Sequence, residues 1–334
     1  MVEDPPAGTL GDSQGRVLDY LRVSVTGRCN LRCVYCMPGS GAGGKSRGDP
    51  LSFGELLRCC RAAASLGIQT IKVTGGEPLA RRGTAAFVAA LRALPGISAV
   101  TMTSNGTLVE KELDRLVEAG LDGLNISLDT LDGETFRRIT RRNGLGKVLR
   151  AVDGALAAGL KVKINTVLLR GINDHELGAI AALARRRPVP VRYIELMPLG
   201  CAAAFEPLSG QETAAALERQ YGKLVPLTGK LGNGPARYYR LEGFTGPIGF
   251  INPISRGFCE SCNRLRLSSQ GILRSCLCGG ATLDLRSLLR SGEGALRQGF
   301  IDLAARKPPC HHLSGVYGKG RVEDGAGEMF RVGG

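Results

Sequence analysis

The stretch Thr26-Gly27-Arg28-Cys29-Asn30-Leu31-Arg32-Cys33-Val34-Tyr35-Cys36-Met37-Pro38 decides the fold of this chain. Its three thiols have the spacing Cys-x3-Cys-x2-Cys, and residues this close can converge on one metal centre at little cost in loop-closure entropy. A structural zinc site takes four protein ligands. Iron–sulfur clusters are held by Cys thiolates, and three thiolates on a four-iron cluster leave one iron open. The spacing therefore predicts a cluster with an open iron, with half of a zinc site completed from elsewhere as the alternative.

The run Cys29-x3-Cys33-x-Tyr35-Cys36 resembles the signature of the radical S-adenosylmethionine enzymes. In that family the open iron binds S-adenosylmethionine, and an electron from the cluster releases a 5′-deoxyadenosyl radical. The resemblance implies that these three Cys residues hold a first 4Fe-4S cluster and that Tyr35 lies against the adenine. The other positions that match S-adenosylmethionine contacts of the family are Gly76 in the turn Thr74-Gly75-Gly76-Glu77-Pro78, Ser127 and Met197.

Composition limits the classes of function that the chain can have. Its 334 residues, 43% of them apolar, can form one large α/β domain and a smaller one. No apolar run predicts a membrane span and no signal peptide is evident, so we expect a cytoplasmic protein without membrane contact. The 11 Cys residues then favour metal or redox chemistry over disulfides. A net charge of +14 indicates an anionic partner; with no Trp and 5% aromatic residues, a polyphosphate fits better than nucleic acid.

Short β-branched runs alternate with Ala- and Leu-rich stretches from Tyr20 to about residue 222, which predicts six βα units and a parallel sheet. The predicted strands are Leu21–Val25, Ile71–Val73, Ala99–Thr103, Gly123–Leu128, Lys161–Leu168 and Val191–Leu196. The predicted helices are Ser52–Leu66, Thr84–Leu94, Val109–Ala119, Gly146–Ala158, Asp174–Ala184 and Gly210–Tyr221. Six units are fewer than the eight of a closed barrel, and radical S-adenosylmethionine enzymes have such an open (βα)6 partial TIM barrel.

Three regions follow from this pattern. Residues 1–16 are rich in Gly and Pro and predict a disordered N-terminus. Residues 17–222 form the partial barrel. Residues 223–334 read as a smaller α+β domain with short antiparallel strands that closes the open side of the barrel. Polar groups follow each barrel strand, and in parallel α/β folds the carboxyl ends of the strands build the active site.

A second group of thiols lies at Cys259, Cys262 and Cys276, with the spacing Cys-x2-Cys-x13-Cys. Cys278 could add a fourth thiol, so a zinc or cluster site with four ligands stays open. Arg264 and Arg266 alternate on a predicted strand and should share one face. Two guanidinium groups beside a metal site suit a phosphate or a carboxylate.

This second group, from Phe250-Ile251-Asn252-Pro253 to Cys276, resembles the GTP 3′,8-cyclases, which catalyse the first step of molybdenum cofactor synthesis. The resemblance covers nearly the whole chain. It implies a second 4Fe-4S cluster on Cys259, Cys262 and Cys276, whose open iron binds guanine. It also implies that the 5′-deoxyadenosyl radical removes hydrogen from ribose C3′ of GTP, and that the C3′ radical attacks guanine C8. The implied GTP-binding residues are Arg22, Lys72, Thr103, Lys163, Arg264, Leu265 and Arg266, with the cations at strand ends. Beside the first three Cys, the residues expected to be needed for catalysis are Arg264, Arg266, Gly333 and Gly334.

The resemblance further implies a flavodoxin- or ferredoxin-like reductant and a downstream partner, the cyclic pyranopterin monophosphate synthase; a homodimer is left open.

Two departures from the pattern of the family stand out. Cys278 replaces the usual Phe, and Thr140-Arg141-Arg142-Asn143 replaces the usual Thr-Gly-Arg-Asp. Two alternatives remain: a radical S-adenosylmethionine enzyme that modifies a peptide with the help of an auxiliary cluster, and a zinc-stabilised RNA-binding protein.

Overall fold

Six βα units build the first part of the chain in the computed structural model, which describes residues 8–38, 49–229, 231–311 and 313. The strands of this part are β1 Tyr20–Ser24, β2 Thr70–Thr74, β3 Ala99–Ser104, β4 Gly123–Ser127, β5 Lys161–Val167 and β6 Val191–Ile194. Its helices are α1 Phe53–Ala64, α2 Thr84–Arg92, α3 Val109–Glu118, α4 Gly133–Thr140, α5 Leu145–Ala157, α6 Leu177–Arg186 and α7 Gly210–Tyr221.

The second part contributes shorter elements to the same sheet. They are β7 Val225–Pro226, β8 Arg237–Arg240, β9 Ile248–Ile251, β10 Arg264–Leu267, β11 Ile272–Arg274, β12 Thr282–Asp284, α8 Leu285–Ser291 and α9 Glu293–Ala305. Two of these elements differ from expectation in an informative way: β9 and β10 run parallel to β6 and β1. The sheet therefore continues the parallel barrel at both edges, and antiparallel strands appear only beyond them.

The strand order is β12-β11-β10-β1-β2-β3-β4-β5-β6-β9-β8-β7, so the sheet is open, and the predicted partial barrel is confirmed. Every predicted barrel strand and helix is present within a few residues. The helix over residues 52–66 starts as expected, because Ser52 and Glu55 form a reciprocal capping box. The short helix α4 was not predicted; the Asp132 side chain caps it by accepting a hydrogen bond from the backbone of Thr135.

Alternation along the strands separates two environments. Apolar side chains such as Leu21, Val23 and Ile71 lie in the core between the sheet and its helices. Residues between them, including Arg22 and Lys72, therefore point to the concave face of the barrel. This face carries the polar and cationic side chains that build the site.

A short segment crosses the barrel between its distant strands. Lys163 on β5 donates to the carbonyl of Leu231. Asn233 donates to Thr70 at the start of β2 and accepts a hydrogen bond from Asn263, just before β10. The loop between β7 and β8 thus contacts β5 and the amino ends of β2 and β10.

The N-terminal region differs from the expectation of disorder over residues 1–16. Residues 1–7 lie outside the described residues, but residues 8–16 form a tight turn in which Gly11 bridges to Val17. The turn is anchored because the buried Arg16 pairs with Asp12 at 2.6 Å. None of the helices in the described part of the chain is long and apolar enough to cross a membrane.

Candidate active site

The first Cys group lies in the loop that leaves β1. Cys33 interacts electrostatically with both Cys29 and Cys36, so the structure brings the three predicted thiols together. The Cys29 sulfur accepts hydrogen bonds from the Leu31 backbone at 3.4 Å and from the Asn105 side chain at 3.7 Å. Burial raises the pKa of Cys29 and Cys33, and a bound metal would reverse this effect by stabilising the thiolates.

The turn after β2 packs its backbone against this loop. Gly76 and Glu77 donate to the carbonyls of Thr26 and Arg28, both at 2.8 Å. A Cβ atom at Gly76 would lie 2.4 Å from the Arg28 oxygen and 3.1 Å from Cys29 Cβ. Glycine is therefore required here, because the backbone of the Cys29 loop occupies the position that a side chain at residue 76 would take.

The far side of the Cys loop rests on the end of α4. Arg32 and Val34 donate backbone hydrogen bonds to Thr140 and Ile139, both at 2.9 Å. Arg141, one of the departures in the sequence, has φ of +56°, a conformation that favours glycine. Its guanidinium donates to the carbonyls of Arg32 at 3.1 Å and Met37 at 3.2 Å. A residue with a strained backbone therefore holds the Cys loop against the end of α4.

The residues predicted to bind S-adenosylmethionine lie in the first Cys loop, or at or just after the carboxyl ends of barrel strands. The Tyr35 hydroxyl donates to Asp129, which follows β4, at 2.6 Å. Burial raises the Asp129 pKa to about 6. Ser127 ends β4, while Met197 follows β6 and lies 3.9 Å from the sulfur of Cys278. Gly76, Tyr35 and Ser127 thus sit at the carboxyl ends of β2, β1 and β4, as the sequence predicted.

The second Cys group lies at the amino end of β10 and the carboxyl end of β11, which pair antiparallel. Cys259 and Cys262 bound a short turn before β10, and Cys276 follows β11. Cys276 interacts electrostatically with both of the others. The Cys278 thiol donates a hydrogen bond to Cys276, which lowers the Cys276 pKa. Four thiols therefore gather here, and Cys278 stands between Cys276 and Met197.

The surroundings of this group favour thiolates. A hydrogen bond with His311 lowers the Cys259 pKa. Burial opposes ionisation of Cys262, but the charges of Arg264 and Lys307 outweigh it and lower its pKa. Arg264 also donates to the Cys262 sulfur at 3.7 Å and lies over the Phe258 ring at 4.8 Å.

Both groups suit the ligation of a cluster, because each offers three converging thiols with nearby N–H donors to sulfur. Within the described residues, no three His, Cys, Asp or Glu side chains are grouped so that they could hold a single metal ion.

The concave face between the two Cys groups is lined by cations. Arg266 is in register with Arg22, and Arg22 with Lys72, on three adjacent strands. Lys163 on β5 and Arg192 on β6 extend the set across the barrel. These residues lie within the strands, so the expectation that they occupy strand ends was wrong. An inward-facing side chain in the middle of a strand is the one that reaches the centre of the barrel.

The cations repel one another. Burial, together with the charges of Arg22, Arg192 and Lys163, lowers the Lys72 pKa well below its usual value. Burial, followed by Arg22 and Arg264, lowers the Arg266 pKa to about 9. A bound polyanion would relieve both the desolvation and the repulsion.

Two predicted GTP residues sit differently from these cations. Thr103 on β3 is in register with Asn125 on β4, and its hydroxyl accepts a hydrogen bond from the Asn125 side chain at 3.3 Å. Asn125 is in turn in register with Lys163 on β5. The Leu265 side chain is fully buried in the apolar core, on the face of β10 opposite Arg264. Only the backbone of Leu265 can therefore reach a ligand. Gly333 and Gly334 lie outside the described residues.

Arg192 lies on the cation-lined face and Lys307 is buried behind the second Cys group, and neither was predicted. Arg192 is a single charged residue in the buried strand Val191-Arg192-Tyr193-Ile194, and an inward-facing charge in an apolar strand was a usable signal. Lys307 follows a helix in a basic, Pro-rich run, and nothing in that pattern marks it as buried.

Comparisons with known proteins define first the class and then the family. The Radical SAM superfamily model matches residues 23–184, and the Molybdenum Cofactor Synthesis C model matches residues 189–313. The structure of SuiB from Streptococcus suis bound to S-adenosylmethionine aligns with a TM-score of 0.61 at 14% identity, over 82% of this chain and 66% of SuiB. At this identity the likeness shows the fold alone, and the Radical SAM superfamily model gives the class.

Relatives of much higher identity narrow the class. The GTP 3′,8-cyclase of Pelotomaculum thermopropionicum is 43% identical over 91% of this chain and 95% of its own length. That of Moorella thermoacetica is 42% identical over 97% of this chain and 100% of its own. That of Geobacter sulfurreducens is 40% identical over 97% and 99%. The chain belongs to the GTP 3′,8-cyclase family.

Proposed function

We propose that this protein is a radical S-adenosylmethionine GTP 3′,8-cyclase, which converts GTP to 3′,8-cyclo-7,8-dihydro-GTP in the first step of molybdenum cofactor biosynthesis. The observation that carries the proposal is the parallel pairing of β10 with β1. It sets Arg266, Arg22 and Lys72 side by side, between a Cys group that follows β1 and another that precedes β10. A substrate held there meets fixed positive charge along its length and a thiol group at either end.

The thiols divide into two ligand sets in this proposal. Cys29, Cys33 and Cys36 hold one 4Fe-4S cluster, and Cys259, Cys262 and Cys276 hold the other. When bound, the first cluster supplies the electron that cleaves S-adenosylmethionine and releases a 5′-deoxyadenosyl radical.

The residues around the first Cys loop orient S-adenosylmethionine. Asp129 holds the Tyr35 hydroxyl at 2.6 Å, so the ring keeps one orientation against the adenine. Gly76 lets the turn after β2 pack directly on the Cys loop, where the methionine end is expected, and Ser127 and Met197 contribute from the ends of β4 and β6. Their function is positioning, which is the largest contribution that a protein makes to a radical reaction.

The cations hold GTP for the reaction. Arg22, Lys72, Lys163 and Arg266 neutralise the triphosphate, with Arg192 as an addition to the predicted set. Thr103 and the Leu265 backbone contact the nucleoside, and Arg264 lies beside Cys262, where the guanine is expected. Held in this way, ribose C3′ loses a hydrogen atom to the deoxyadenosyl radical, and the C3′ radical bonds to guanine C8. Gly333 and Gly334 are proposed to enter the same cavity.

Electron balance implies a reductant. One electron is used to cleave S-adenosylmethionine, and one electron with one proton completes the dihydro product after C3′ bonds to C8. A one-electron donor of the flavodoxin or ferredoxin type fits both steps. We also propose a cytoplasmic location and a downstream enzyme, the cyclic pyranopterin monophosphate synthase, that consumes the product; a homodimer is compatible with these proposals.

The test uses protein purified and reconstituted without oxygen, S-adenosylmethionine, a chemical reductant and GTP deuterated at ribose C3′. We expect deuterium in the 5′-deoxyadenosine and a cyclised nucleotide in equal amount. Cleavage of S-adenosylmethionine at the same rate with and without GTP, and without deuterium transfer, would support the peptide-modifying alternative. A colourless protein with zinc and without iron or sulfide would contradict both enzymes.

A variant separates the two halves of the site. Arg264→Ala should weaken GTP binding while the first cluster and the GTP-independent cleavage of S-adenosylmethionine are kept. Arg240→Ala, which removes an exposed Arg on β8, is the matched control and should bind GTP like the parent protein. Loss of the first cluster in Arg264→Ala would show that this division of roles is wrong.

A further inference from the structure

The segment Lys307-Pro308-Pro309-Cys310-His311, termed here the strap, follows α9 and crosses the second Cys group. None of its residues was predicted to be functional. Nevertheless, the strap or Arg16, which binds the strap, forms hydrogen bonds at or next to each of the three predicted ligands of that group. The contacts involve two buried cations, Lys307 within the strap and Arg16 from the N-terminal turn.

Lys307 joins two of the three ligand-bearing segments. Its side chain is buried, and its ammonium donates to the carbonyl of Arg264 at 2.9 Å and to that of Ser275 at 2.5 Å. It also hydrogen-bonds to the Cys262 sulfur. An ammonium group has three donors, and all three are therefore used. Lys307 thus fixes the position of Cys262 relative to the segment that carries Cys276.

Arg16 joins the remaining segment to the strap. One terminal nitrogen of its guanidinium donates to the Cys259 carbonyl at 2.7 Å and the Pro309 carbonyl at 3.1 Å, and the other donates to the Pro308 carbonyl at 2.8 Å. Its Nε donates to Asp12 at 2.6 Å, in a pair that is almost fully buried. The fork geometry of a guanidinium serves these acceptors together, and a Lys could not.

Two further contacts complete the fit of the strap. His311 Nε2 donates to the carbonyl of Pro253, at the start of the loop that carries Cys259, at 2.7 Å. A Cβ atom added to Gly280 would lie 3.2 Å from the Pro308 ring, so the loop after Cys276 packs directly on the strap. Contacts from one short segment therefore reach all three ligand-bearing segments, which are far apart in sequence.

We propose that Lys307 and Arg16 are positioning residues, which hold the strap against the second Cys group and keep Cys259, Cys262 and Cys276 in the arrangement that binds the second cluster. The inference rests on the proposed function in that it takes these thiols to be cluster ligands. A cluster bound by three thiolates from separate segments depends on the surrounding contacts for its geometry.

The test compares Lys307→Met and Arg16→Lys with Arg306→Met and Arg306→Lys. Lys307→Met removes the donors at similar length, and Arg16→Lys keeps the charge but removes the fork. Arg306 is adjacent to the strap and exposed, so its variants make matched changes of charge and shape without touching the second Cys group. Iron and acid-labile sulfide are measured on full-length protein after anaerobic reconstitution, with electron paramagnetic resonance spectra before and after GTP.

The parent protein and both Arg306 variants should hold about eight irons per chain, and Lys307→Met and Arg16→Lys about four. The signal that responds to GTP should be lost, whereas GTP-independent cleavage of S-adenosylmethionine should stay within about twofold of the parent rate. Eight irons and an unchanged GTP-responsive signal in both variants would overturn the proposal. Parallel loss of both clusters in both variants would also overturn it, because the strap would then stabilise the whole fold.

The result is separable from the test of the proposed function. If the parent protein holds two clusters but does not cyclise GTP, selective loss of one cluster in the variants still supports the strap. If the parent protein cyclises GTP and the variants keep both clusters, the inference about the strap alone is wrong.

Discussion

The contact between Gly76 and the first Cys loop allows the effect of a single methyl group to be worked out. In Gly76→Ala, the new Cβ would lie 2.4 Å from the Arg28 oxygen and 2.7 Å from the Arg28 carbonyl carbon. An ordinary C···O contact is about 3.3 Å, so the two backbones must separate by about 1 Å. Neither neighbour is a flexible side chain, and the loop that carries Cys29 has to move.

The cost follows from two contributions. Overpacking of this kind costs about 1–3 kcal/mol. Separation also breaks the hydrogen bond from the Glu77 backbone to the Arg28 carbonyl, now 2.8 Å long, which adds about 1 kcal/mol. A local penalty of about 2–4 kcal/mol would fall on the loop that holds the first cluster and leave the second Cys group untouched.

The assay is iron and sulfide content after anaerobic reconstitution, together with cleavage of S-adenosylmethionine. Gly76→Ala should keep about four irons per chain, all in the second cluster, and should lose cleavage activity. Gly133→Ala is the control, because a Cβ at this exposed first residue of α4 meets nothing within 4 Å. If Gly76→Ala kept about eight irons and cleaved S-adenosylmethionine within twofold of the parent, the steric reasoning would be refuted.

Three further predictions concern single side chains. Arg141→Gly removes a backbone strain of about 1 kcal/mol, because glycine adopts the left-handed conformation freely, but it also removes two hydrogen bonds to the Cys loop. We therefore expect a similar melting temperature and a several-fold faster release of iron in air. An unchanged release rate would contradict this role of Arg141. Cys278→Phe should hold as many irons as the parent with the same GTP-free resonance spectrum, and a changed spectrum would identify Cys278 as a fourth ligand. Burial, with the charges of Arg192 and Lys161, lowers the Lys163 pKa to about 8. Only the ammonium form attracts a triphosphate electrostatically, so the affinity for GTP should be full below pH 8 and fall above it. Arg stays charged over this range, so the affinity of Lys163→Arg for GTP should change little between pH 7 and 9. An equally steep decline in that variant would exclude Lys163 as the titrating group.

Local patterns in the sequence were sufficient for the barrel. The strand and helix rhythm is set by nearby residues, and the capping box of Ser52 and Glu55 is a signal four residues long. The ends of the strands also follow from this rhythm, which is why Gly76 and Ser127 could be placed near the first Cys loop. Helix α4 was missed because its eight residues contain only two large apolar side chains, Phe136 and Ile139.

Long-range pairing was beyond the reach of such patterns. The run Arg264-Leu265-Arg266-Leu267 reads as a strand with a charged face, but nothing local indicates that it pairs in parallel with β1. That register decides that Arg266 faces the same cavity as Arg22 and Lys72. The position of the cations within the strands, and the inclusion of Arg192, follow from barrel geometry that only the assembled sheet provides.

The two Cys groups differ in the sign of the charge around them, and this difference matches the tasks proposed for them. At the first, burial and then the Asp129 carboxylate raise the Cys33 pKa, and Glu77 acts in the same direction on Cys29. At the second, Arg264 and Lys307 lower the Cys262 pKa. Net charge and hydrogen bonds to sulfur are the means by which a protein sets the reduction potential of a cluster. A site with anionic neighbours suits donation of an electron to a sulfonium, whereas a site among cations suits the binding of an anionic nucleotide. The acidic residues beside the first loop come from the ends of β2 and β4, and the cations beside the second come from β10 and the strap. The division of labour therefore depends on which charged segments the fold brings to each group of three thiols.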